Sequence, residues 1–318
     1  MKYITVKEAA EKWGISQVLV RRYCAQGRVP RAKCQDGAWR IPEKASKPDR
    51  SSSAITVEVE LPPLGKKLVQ QKKKKNYHGL YDYVQINLTY SSSRMASNRL
   101  TRDQVESIFR KGKVRESFEP MKVSDCIEVL NHTCCIDFIL DHIGDPLSNK
   151  FIQQIHYHLM FGTVDHRKKA VAPGVYRKEK ITKSDRVCSP PARIASDIDG
   201  LVNYYESLFE IGLVEILDFH VKFEKIAAFE DGNGRIGRLI MFKECLRHNI
   251  MPFILDDKRR SKYIEGIQEW AGDCMTLMQV VAEAQERFER QVKRHQLAEY
   301  RAPEFLDLED ADETIGDE

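Results

Sequence analysis

Residues 226–238 read IAAFEDGNGRIGR and lie between two segments in which apolar residues recur at helical spacing. This pattern predicts a turn between two buried helices. Gly232 and Gly234 let the chain turn sharply, and the second helix directs free backbone N–H groups and the positive end of its dipole at the turn. Arg235 and Arg238 are three residues apart and therefore share a face of that helix. Together these features predict an anion site, with phosphate as the expected ligand.

Carboxylates stand beside the same turn. Glu230 and Asp231 precede the first glycine, and a carboxylate next to a phosphate site is what a hard cation such as Mg²⁺ requires. The alternative is a glycine-rich turn between helices with a solvated arginine face. The joint presence of Asp231, Arg235 and Arg238 disfavours that alternative.

The stretch resembles the core motif of the Fic family, HxFx(D/E)GNGRxxR. The matching residues are Phe229, Asp231, Gly232, Asn233, Gly234, Arg235 and Arg238. The resemblance implies that ATP is bound by Phe229, Gly232, Asn233, Gly234, Arg235 and Arg238. It also implies that Asp231 binds Mg²⁺ and that Asn233 and Arg235 serve catalysis. In the family the motif histidine takes a proton from a hydroxyl of a target protein, which becomes AMPylated. That position is Ala227 here, so this form is expected to be catalytically inactive.

A second stretch, LTYSSSRMASNRLT at residues 88–101, resembles the inhibitory segment of the same family, (S/T)xxxE(G/N). In the family a glutamate on a short helix pairs with the second motif arginine, which corresponds to Arg238. Ser92 matches the first position and Ala96 occupies the glutamate position. The alternative is an ordinary Ser-rich helix start. Thr101 opens a capping box for the next helix, as in the family layout.

Alanines thus stand at one catalytic and one regulatory position, while the phosphate-binding set is intact. We favour deliberate substitution, and the rival is a natural pseudoenzyme that still binds nucleotide. The predicted function is an adenylyltransferase that moves AMP from ATP to a Ser, Thr or Tyr hydroxyl of a target protein. The alternatives are a nucleotide-sensing DNA-binding regulator and a Fic transferase that uses another nucleotide donor or transfers phosphocholine.

Residues 173–177, PGVYR, resemble the segment that leads into the Fic flap, an edge hairpin that aligns the target polypeptide by adding a strand. The flap is expected to run from about Lys178 to Asp185. The predicted target-binding residues are Lys178, Glu179, Lys180, Ile181 and Thr182. The alternative is an exposed turn with basic residues.

Residues 1–48 form a separate unit. Thr5 opens a capped helix that ends at Gly14, and a second helix is expected from Ser16 to about Gln26. A two-stranded wing with Asp36-Gly37 at its tip should follow. Its ending, Trp39-Arg40-Ile41-Pro42, resembles the excisionase/MerR-like winged-helix family. The predicted contacts to duplex DNA are Gln17, Arg21 and Arg22 on the helix and Lys33 and Arg40 on the wing. The alternative is a small module for protein contact.

The predicted fold is mainly α: a Fic-type helical bundle with a β-hairpin flap at residues 76–294, preceded by the small winged helix-turn-helix domain. A linker is expected at residues 49–75, with Lys72–Lys75 as a solvated charge run. An acidic, disordered tail is expected at residues 295–318. Helical patterns cover residues 123–143, 150–160, 199–210, 214–226, 234–248 and 261–293.

The chain of 318 residues is 42% hydrophobic, and its net charge of +4 is too small to indicate nucleic acid by itself. None of the eight cysteines forms a CxxC pair, so reduced thiols in the cytoplasm are expected. The sequence shows no signal peptide and no apolar run that would span a bilayer, so no membrane partner is expected. A homodimer formed through the larger domain would strengthen DNA binding.

Overall fold

The computed structural model describes residues 2–25, 28–35, 38–48, 61–74, 78–113, 121–181 and 188–305. Helices dominate these residues, which confirms the prediction of a mainly α fold. The three strands that the described residues contain all belong to the N-terminal domain. Among the described helices, none combines the length and the apolar character needed to cross a membrane.

The N-terminal domain is a helix-turn-helix unit with a small antiparallel sheet. Its elements are β1 (Tyr3–Ile4), α1 (Val6–Trp13), α2 (Gln17–Ala25), β2 (Lys33–Gln35) and β3 (Ala38–Pro42). The strand order is β1-β3-β2, so the sheet has one strand more than the predicted wing. Thr5 forms the predicted capping box with Glu8, and Gly14 ends α1 with φ +62°. The wing tip, residues 36 and 37, lies outside the described residues.

A small apolar core holds this domain together. Buried side chains of α1, among them Ala9 and Trp13, meet Val20 and Tyr23 of α2 and Ile41 of β3. This cluster is separate from the core of the larger domain. The two domains touch where α2 contacts the helix Ile194–Ser207 of the larger domain.

The larger domain is a bundle of helices. They are α3 (Pro63–Lys74), α4 (Leu80–Met95), α5 (Arg102–Lys111), α6 (Val123–Asp141), α7 (Asn149–Met160), α8 (Val164–Arg167), α9 (Ile194–Ser207), α10 (Leu213–Ile226), α11 (Asn233–Arg247), α12 (Arg260–Glu269) and α13 (Met275–Phe305). Helix α11 lies at the centre and contacts α3, α4, α6, α7 and α10. It is buried on nearly all sides, as expected of a helix that other helices surround.

The linker prediction is wrong for residues 63–74, which form α3. Leu68 is fully buried in the main core, and Gly65 lies against Ile143 and Leu246. Lys72, predicted to be solvated, donates to the Asp137 carbonyl oxygen at 2.9 Å and pairs with the Asp141 carboxylate at 2.7 Å. The lysine-rich composition therefore misled the prediction. The segment is an amphipathic helix whose lysine side chains can lie with their apolar stems along the bundle.

The C-terminal predictions need two corrections. The helical pattern at residues 261–293 is divided between α12 and α13 by a turn in which Gly272 donates to the Glu269 carbonyl oxygen and Asp273 caps Met275. Helix α13 continues to Phe305, so residues 295–305 are helical and not a disordered tail. Residues 306–318 lie outside the described residues.

The C-terminal half of α11 carries a buried ionic network. Lys243 and Glu244 are both buried, and Lys243 Nζ lies 2.7 Å from Glu244 Oε1. The second carboxylate oxygen of Glu244 accepts from the Tyr205 hydroxyl at 3.1 Å and from Arg247 at 3.2 Å. Burial alone raises the pKa of Glu244, but Lys243, His248 and Arg247 together lower it to about 2.

Candidate functional site

The predicted turn is a loop at residues 227–232 between α10 and α11. Ala227 is the C-cap of α10 and adopts φ +49°, and its N–H donates to the Phe223 carbonyl oxygen at 3.2 Å. Gly232 is the N-cap of α11 with φ +85°. Both residues occupy the left-handed region, which suits glycine and, among other residues, favours Asn, Asp and His.

The loop is fixed to the start of α11 by Asn233. Asn233 Oδ1 accepts from the Phe229 N–H at 3.0 Å, and Asn233 Nδ2 donates to the Phe229 carbonyl oxygen at 2.8 Å. These paired bonds hold the loop closed. The amide of Asn233 thus positions the loop, while its backbone N–H lies in the first turn of α11, where helix geometry leaves N–H groups without a helical partner.

Phe229 is held between two rings from other parts of the chain. His156 of α7 stacks on it with the centroids 3.8 Å apart, and Tyr176 lies at 5.1 Å. His156 Nδ1 accepts from the Gly174 N–H at 2.8 Å, which requires an unprotonated Nδ1. Burial lowers the pKa of His156 to about 4, so the neutral ring that this bond needs is the form present near neutral pH.

Arg177 joins the loop to the start of the flap segment. Its side chain is buried and donates from Nε to the Ala227 carbonyl oxygen at 2.7 Å. The same guanidinium donates to the Glu179 carbonyl oxygen at 2.8 Å and to that of Ser189. One side chain therefore fixes the backbone of the motif loop and both ends of the flap segment.

Arg235 is buried and paired with two carboxylates. Its Nη1 donates to Glu128 of α6 at 2.8 Å, and its Nη2 donates to Asp231 at 2.7 Å. Burial raises the pKa of Glu128, and the attraction of Arg235 opposes that shift. The guanidinium is thus held in one orientation at the N-terminus of α11.

Arg238 contacts the end of α4. Its Nε donates to the Ser92 hydroxyl and its Nη2 to the Ser92 carbonyl oxygen, each at 3.0 Å. Ser92 lies in the last turn of α4, so the alternative of a Ser-rich helix start is wrong. Ala96 is the C-cap of α4, and Ser97 follows with φ +70°. The turn keeps a left-handed backbone at the position where the inhibitory segment of the Fic family carries Gly or Asn.

A cavity of about 270 Å³ opens at the N-terminus of α11. Its lining comprises Met95, Ala96, Glu224, Glu230, Asp231, Gly232, Asn233, Gly234, Arg235, Arg238, Arg260, Tyr263, Ile264 and Ile267. One wall is apolar and the other carries the two motif arginines. Such a cavity can accept an anion that also has an apolar or aromatic part.

The structure brings together most of the residues that the motif suggested. Ala96 and the residues from Asp231 to Arg235, with Arg238, line the cavity, whereas Ala227 and Phe229 form the buried loop behind it. Sequence reasoning missed Glu128, the positioning role of Arg177, and the wall formed by Arg260, Tyr263 and Ile267. Tyr263 and Ile267 are buried and also line the cavity.

The remaining predicted residues lie elsewhere. Residues 178–181 of the flap lie in no strand, and Thr182 falls outside the described residues. In the N-terminal domain Gln17, Arg21, Lys33 and Arg40 are exposed. Lys33 and Arg40 are direct cross-strand partners and therefore project from the same face of the sheet. Arg22 lies in α2.

Asp231 is the candidate protein ligand for a metal ion at this cavity, and Glu224 and Glu230 also belong to the lining. Asp231 is about half exposed, and its carboxylate oxygens contact the Gly232 N–H at 2.6 Å and Arg235 at 2.7 Å, which leaves lone pairs directed at solvent. The described residues contain no group of three or more His, Cys, Asp or Glu side chains that could hold a metal. A single carboxylate fits Mg²⁺, which commonly takes one or two protein ligands and completes its shell with phosphate and water.

Two family models match parts of this chain. Residues 146–245 match the model of the Fic/DOC family, and residues 3–45 match that of a helix-turn-helix domain. The chain is 26% identical over 209 residues to the protein adenylyltransferase Fic of Aedes aegypti and 24% identical over 205 residues to that of Culex quinquefasciatus. These alignments cover 62% of this chain but only 40% and 39% of the two relatives.

Solved structures share the fold. A Fic domain-containing signaling protein from Bacteroides thetaiotaomicron is 17% identical, with a TM-score of 0.57 over 73% of this chain and 94% of the other. Fic-1 from C. elegans is 18% identical, with a TM-score of 0.56 over 74% of this chain and 72% of the other. At this identity the likeness concerns the fold alone.

Proposed function

The chain carries a Fic domain behind a helix-turn-helix domain, and from this premise we propose that it is a Fic-type adenylyltransferase whose catalytic base is replaced by Ala227. The substrate would be ATP and the acceptor a Ser, Thr or Tyr hydroxyl of a target protein. The names of the insect relatives support this activity. The chain spans about two fifths of their length, so the support concerns the domain that is shared.

One observation carries the proposal: two arginines and the N-terminus of α11 face one cavity. The first N–H groups of α11 and its dipole favour an anion there. Arg235 and Arg238 add guanidinium groups, which bind phosphate oxygens in pairs. Both are held in place, Arg235 by Glu128 and Asp231 and Arg238 by Ser92. This arrangement is suited to the phosphates of a nucleotide, with the sugar and base along the apolar wall.

Mg²⁺ would be held by Asp231 together with the phosphates of the nucleotide. When bound, it would supply positive charge that neutralises the phosphates. The bonds from Gly232 and Arg235 fix the orientation of the Asp231 carboxylate before any ligand arrives.

In the proposed transfer the acceptor oxygen forms a bond to the α-phosphorus. The bond between that phosphorus and the bridging oxygen breaks, and pyrophosphate leaves with the electron pair. The acceptor hydroxyl must lose its proton, and the methyl group of Ala227 cannot take it. The backbone at Ala227 is in the left-handed region, where histidine is enriched over most residues. The backbone therefore suits the histidine of the family motif while the base itself is missing.

The experiment is to restore the base. Ala227→His, given radiolabelled ATP and Mg²⁺, should label itself or an added protein, because a positioned base contributes about 10²–10⁴-fold to a proton-transfer step. Arg235→Ala in the same background should abolish the gain by removing charge stabilisation of the phosphates. An Ala227→His protein that binds ATP and yet transfers nothing would refute the transferase.

A nucleotide-sensing DNA-binding regulator is the second candidate. The observation that favours it is the contact of α2, the candidate recognition helix, with α9 of the Fic domain, combined with alanine at both the base and the inhibitory position. Such a protein would bind nucleotide without transfer. Nucleotide-dependent DNA affinity in the unaltered protein, with no transfer by Ala227→His, would distinguish it from the enzyme.

The donor base and the setting are further parts of the proposal. The arginines and α11 would contact phosphates and not the base, so donors other than ATP are compatible with the cavity. Mass spectrometry of Ala227→His after incubation with mixed nucleotides, and with a phosphocholine donor, identifies the group transferred. A cytoplasmic location agrees with the free cysteines among the described residues. Dimerisation would raise the DNA affinity of a small DNA-binding module.

A further inference from the structure

Helix α7 and its C-cap residue expose two stacked aromatic side chains. Tyr157 is 46% exposed, Phe161 is 52% exposed, and their ring centroids are 5.2 Å apart. Val175, which is 44% exposed, follows Gly174, whose Cα is so close to α7 that an added Cβ would lie 3.3 Å from Tyr157 Cβ. We call these three residues the α7 patch. Contiguous apolar surface of this kind on a folded domain marks contact sites for other molecules.

The α7 patch adjoins the motif loop and the base of the flap. Tyr157 follows His156, whose ring stacks on Phe229 of the loop. Val175 lies two residues before Arg177, which fixes the loop and the flap segment together. A polypeptide on the patch would therefore lie beside the motif loop and the start of the flap segment.

The rim of the α7 patch is basic. The segment after Phe161 carries exposed Arg167, Lys168 and Lys169, and its His166 ring lies 5.4 Å from that of Phe161. Beyond Val175 the exposed residues include Lys178 and Lys180. The exposed acidic side chains of residues 161–181 are Asp165 and Glu179. This stretch therefore has five exposed cations and two exposed carboxylates.

We propose that the α7 patch docks an acidic segment of the acceptor protein that inserts apolar side chains between its charges. The inference rests on the proposed function, because it places the acceptor beside the Fic loop. Stacked aromatic side chains serve as anchors at interfaces, and a rim of opposite charge steers the partner and fixes its register. The phosphate backbone of a nucleic acid would match the charge of the lysines, but it would leave Phe161 and Val175 without apolar partners.

The test measures binding of a short fluorescein-labelled peptide in which Asp and Glu alternate with Phe and Leu. Its counterpart carries Lys at every acidic position. Fluorescence anisotropy should show binding of the acidic peptide only. The double variant Tyr157→Ser/Phe161→Ser should weaken binding by at least about tenfold, as expected for interface anchors. Lys168→Glu/Lys169→Glu should weaken it most at low salt, because salt screens exposed charges.

The chain offers matched controls. Tyr204 and Phe209 are exposed by 54% and 80% and belong to α9 and the turn after it. Tyr204→Ser/Phe209→Ser removes the same kinds of side chain and should leave peptide affinity within about twofold. Equal losses in both double variants, or equal binding of the basic peptide, would overturn the proposal. So would displacement of the peptide by duplex DNA, or an oligomeric state that changes only in the Tyr157/Phe161 variant.

ATP binding separates this inference from the proposed function. The Tyr157/Phe161 variant should bind ATP as the unaltered protein does. In the Ala227→His background, with a Ser placed in the acidic peptide, the variant should raise KM for the peptide with little change in kcat. Intact ATP binding with no patch-dependent peptide binding overturns the docking surface alone. If neither the unaltered protein nor its variants bind ATP, the proposed function is overturned. Peptide binding then still decides whether the α7 patch is a docking surface.

Discussion

Arg238 of α11 donates hydrogen bonds to both the hydroxyl and the backbone carbonyl oxygen of Ser92, at 3.0 Å each. The two residues are 146 positions apart in sequence. This contact brings the end of α4 to the second motif arginine and places Ala96 in the same cavity wall. The end of α4 is therefore in a position to control how much of Arg238 remains available to a phosphate.

The first prediction concerns Ala96. In the Ala227→His background, Ala96→Glu should lower AMP transfer, because a carboxylate beside Arg238 pairs with that guanidinium and repels the phosphates of ATP. The measurement is the initial rate of labelling from ATP·Mg²⁺, together with ATP affinity.

Ala96→Gln is the matched control, since it has the same size without the charge. Its rate should stay near that of the parent. Equal loss in the Glu and Gln variants would mean that bulk and not charge is responsible, and unchanged rates in both would show that the end of α4 is not inhibitory.

The second prediction concerns Gly232. With φ +85° and with Leu159 Cδ2 only 3.1 Å from the position of an added Cβ, Gly232→Ala should destabilise the fold by at least about 1 kcal/mol. It should also weaken ATP binding, because the start of α11 would shift. Thermal unfolding and ATP titration measure the two effects.

Gly112→Ala is the control that separates the cost of a left-handed backbone from the effect on the binding site. Gly112 has φ +60°, and nothing lies within 4 Å of its added Cβ. This variant should lose a similar free energy of unfolding and keep its ATP affinity. A Gly232→Ala protein that bound ATP as well as Gly112→Ala would show that the N-terminus of α11 is not the phosphate site.

Local chemistry made part of this architecture predictable. The capping boxes at Thr5 and Thr101 were correctly predicted because they depend on side chains three residues away. The turn into α11 was predictable for the same reason, since its glycines and arginines lie within a few positions of one another. Helix α3 was missed because its composition is dominated by lysines, and its burial depends on Ile143 and Leu246 far along the chain.

The partners of the motif arginines were beyond sequence reasoning. Glu128 meets Arg235 across 107 positions, and the pairing depends on how α6 docks on α11. Arg177 is buried and donates to carbonyl oxygens of the loop and of the flap segment. These oxygens surround it only in the folded chain. A family motif can mark such a residue, but the contacts that explain it arise from tertiary packing.

The third prediction concerns acid stability. The pKa of Glu244 is about 2 in the folded protein against 4.5 for the free group. Because the folded value is depressed, the stabilisation is fully present above about pH 4.5 and is lost as the pH falls toward 2, by about 3 kcal/mol in all. Chemical denaturation at a series of pH values measures this slope.

Glu244→Gln should be less stable at neutral pH, because Lys243 stays buried without its carboxylate partner, and its stability should fall less steeply below pH 4.5. Glu289→Gln removes an exposed ion pair with Lys293 and should parallel the unaltered protein. Identical slopes in all three proteins would show that the network does not govern the acid transition.

The last prediction concerns the N-terminal domain. The full chain should bind duplex DNA with an affinity that falls steeply as salt rises, because Lys33 and Arg40 project together from the wing and Arg21 is exposed on α2. Lys33→Ala should weaken all duplexes alike and reduce the salt slope by about one, as expected when one phosphate contact is lost. Arg21→Ala should weaken a preferred site, selected from random duplexes, more than bulk DNA if this side chain reads a base edge.

Lys262→Ala, an exposed lysine of α12, is the control and should change neither affinity nor slope. If Lys33→Ala and Lys262→Ala bind alike, Lys33 is not a DNA contact. If the full chain shows no salt-dependent retention of any duplex, DNA binding itself is excluded. The exposed basic face would then serve protein contact, and the contact of α2 with α9 would make the N-terminal domain a docking module that brings targets to the larger domain.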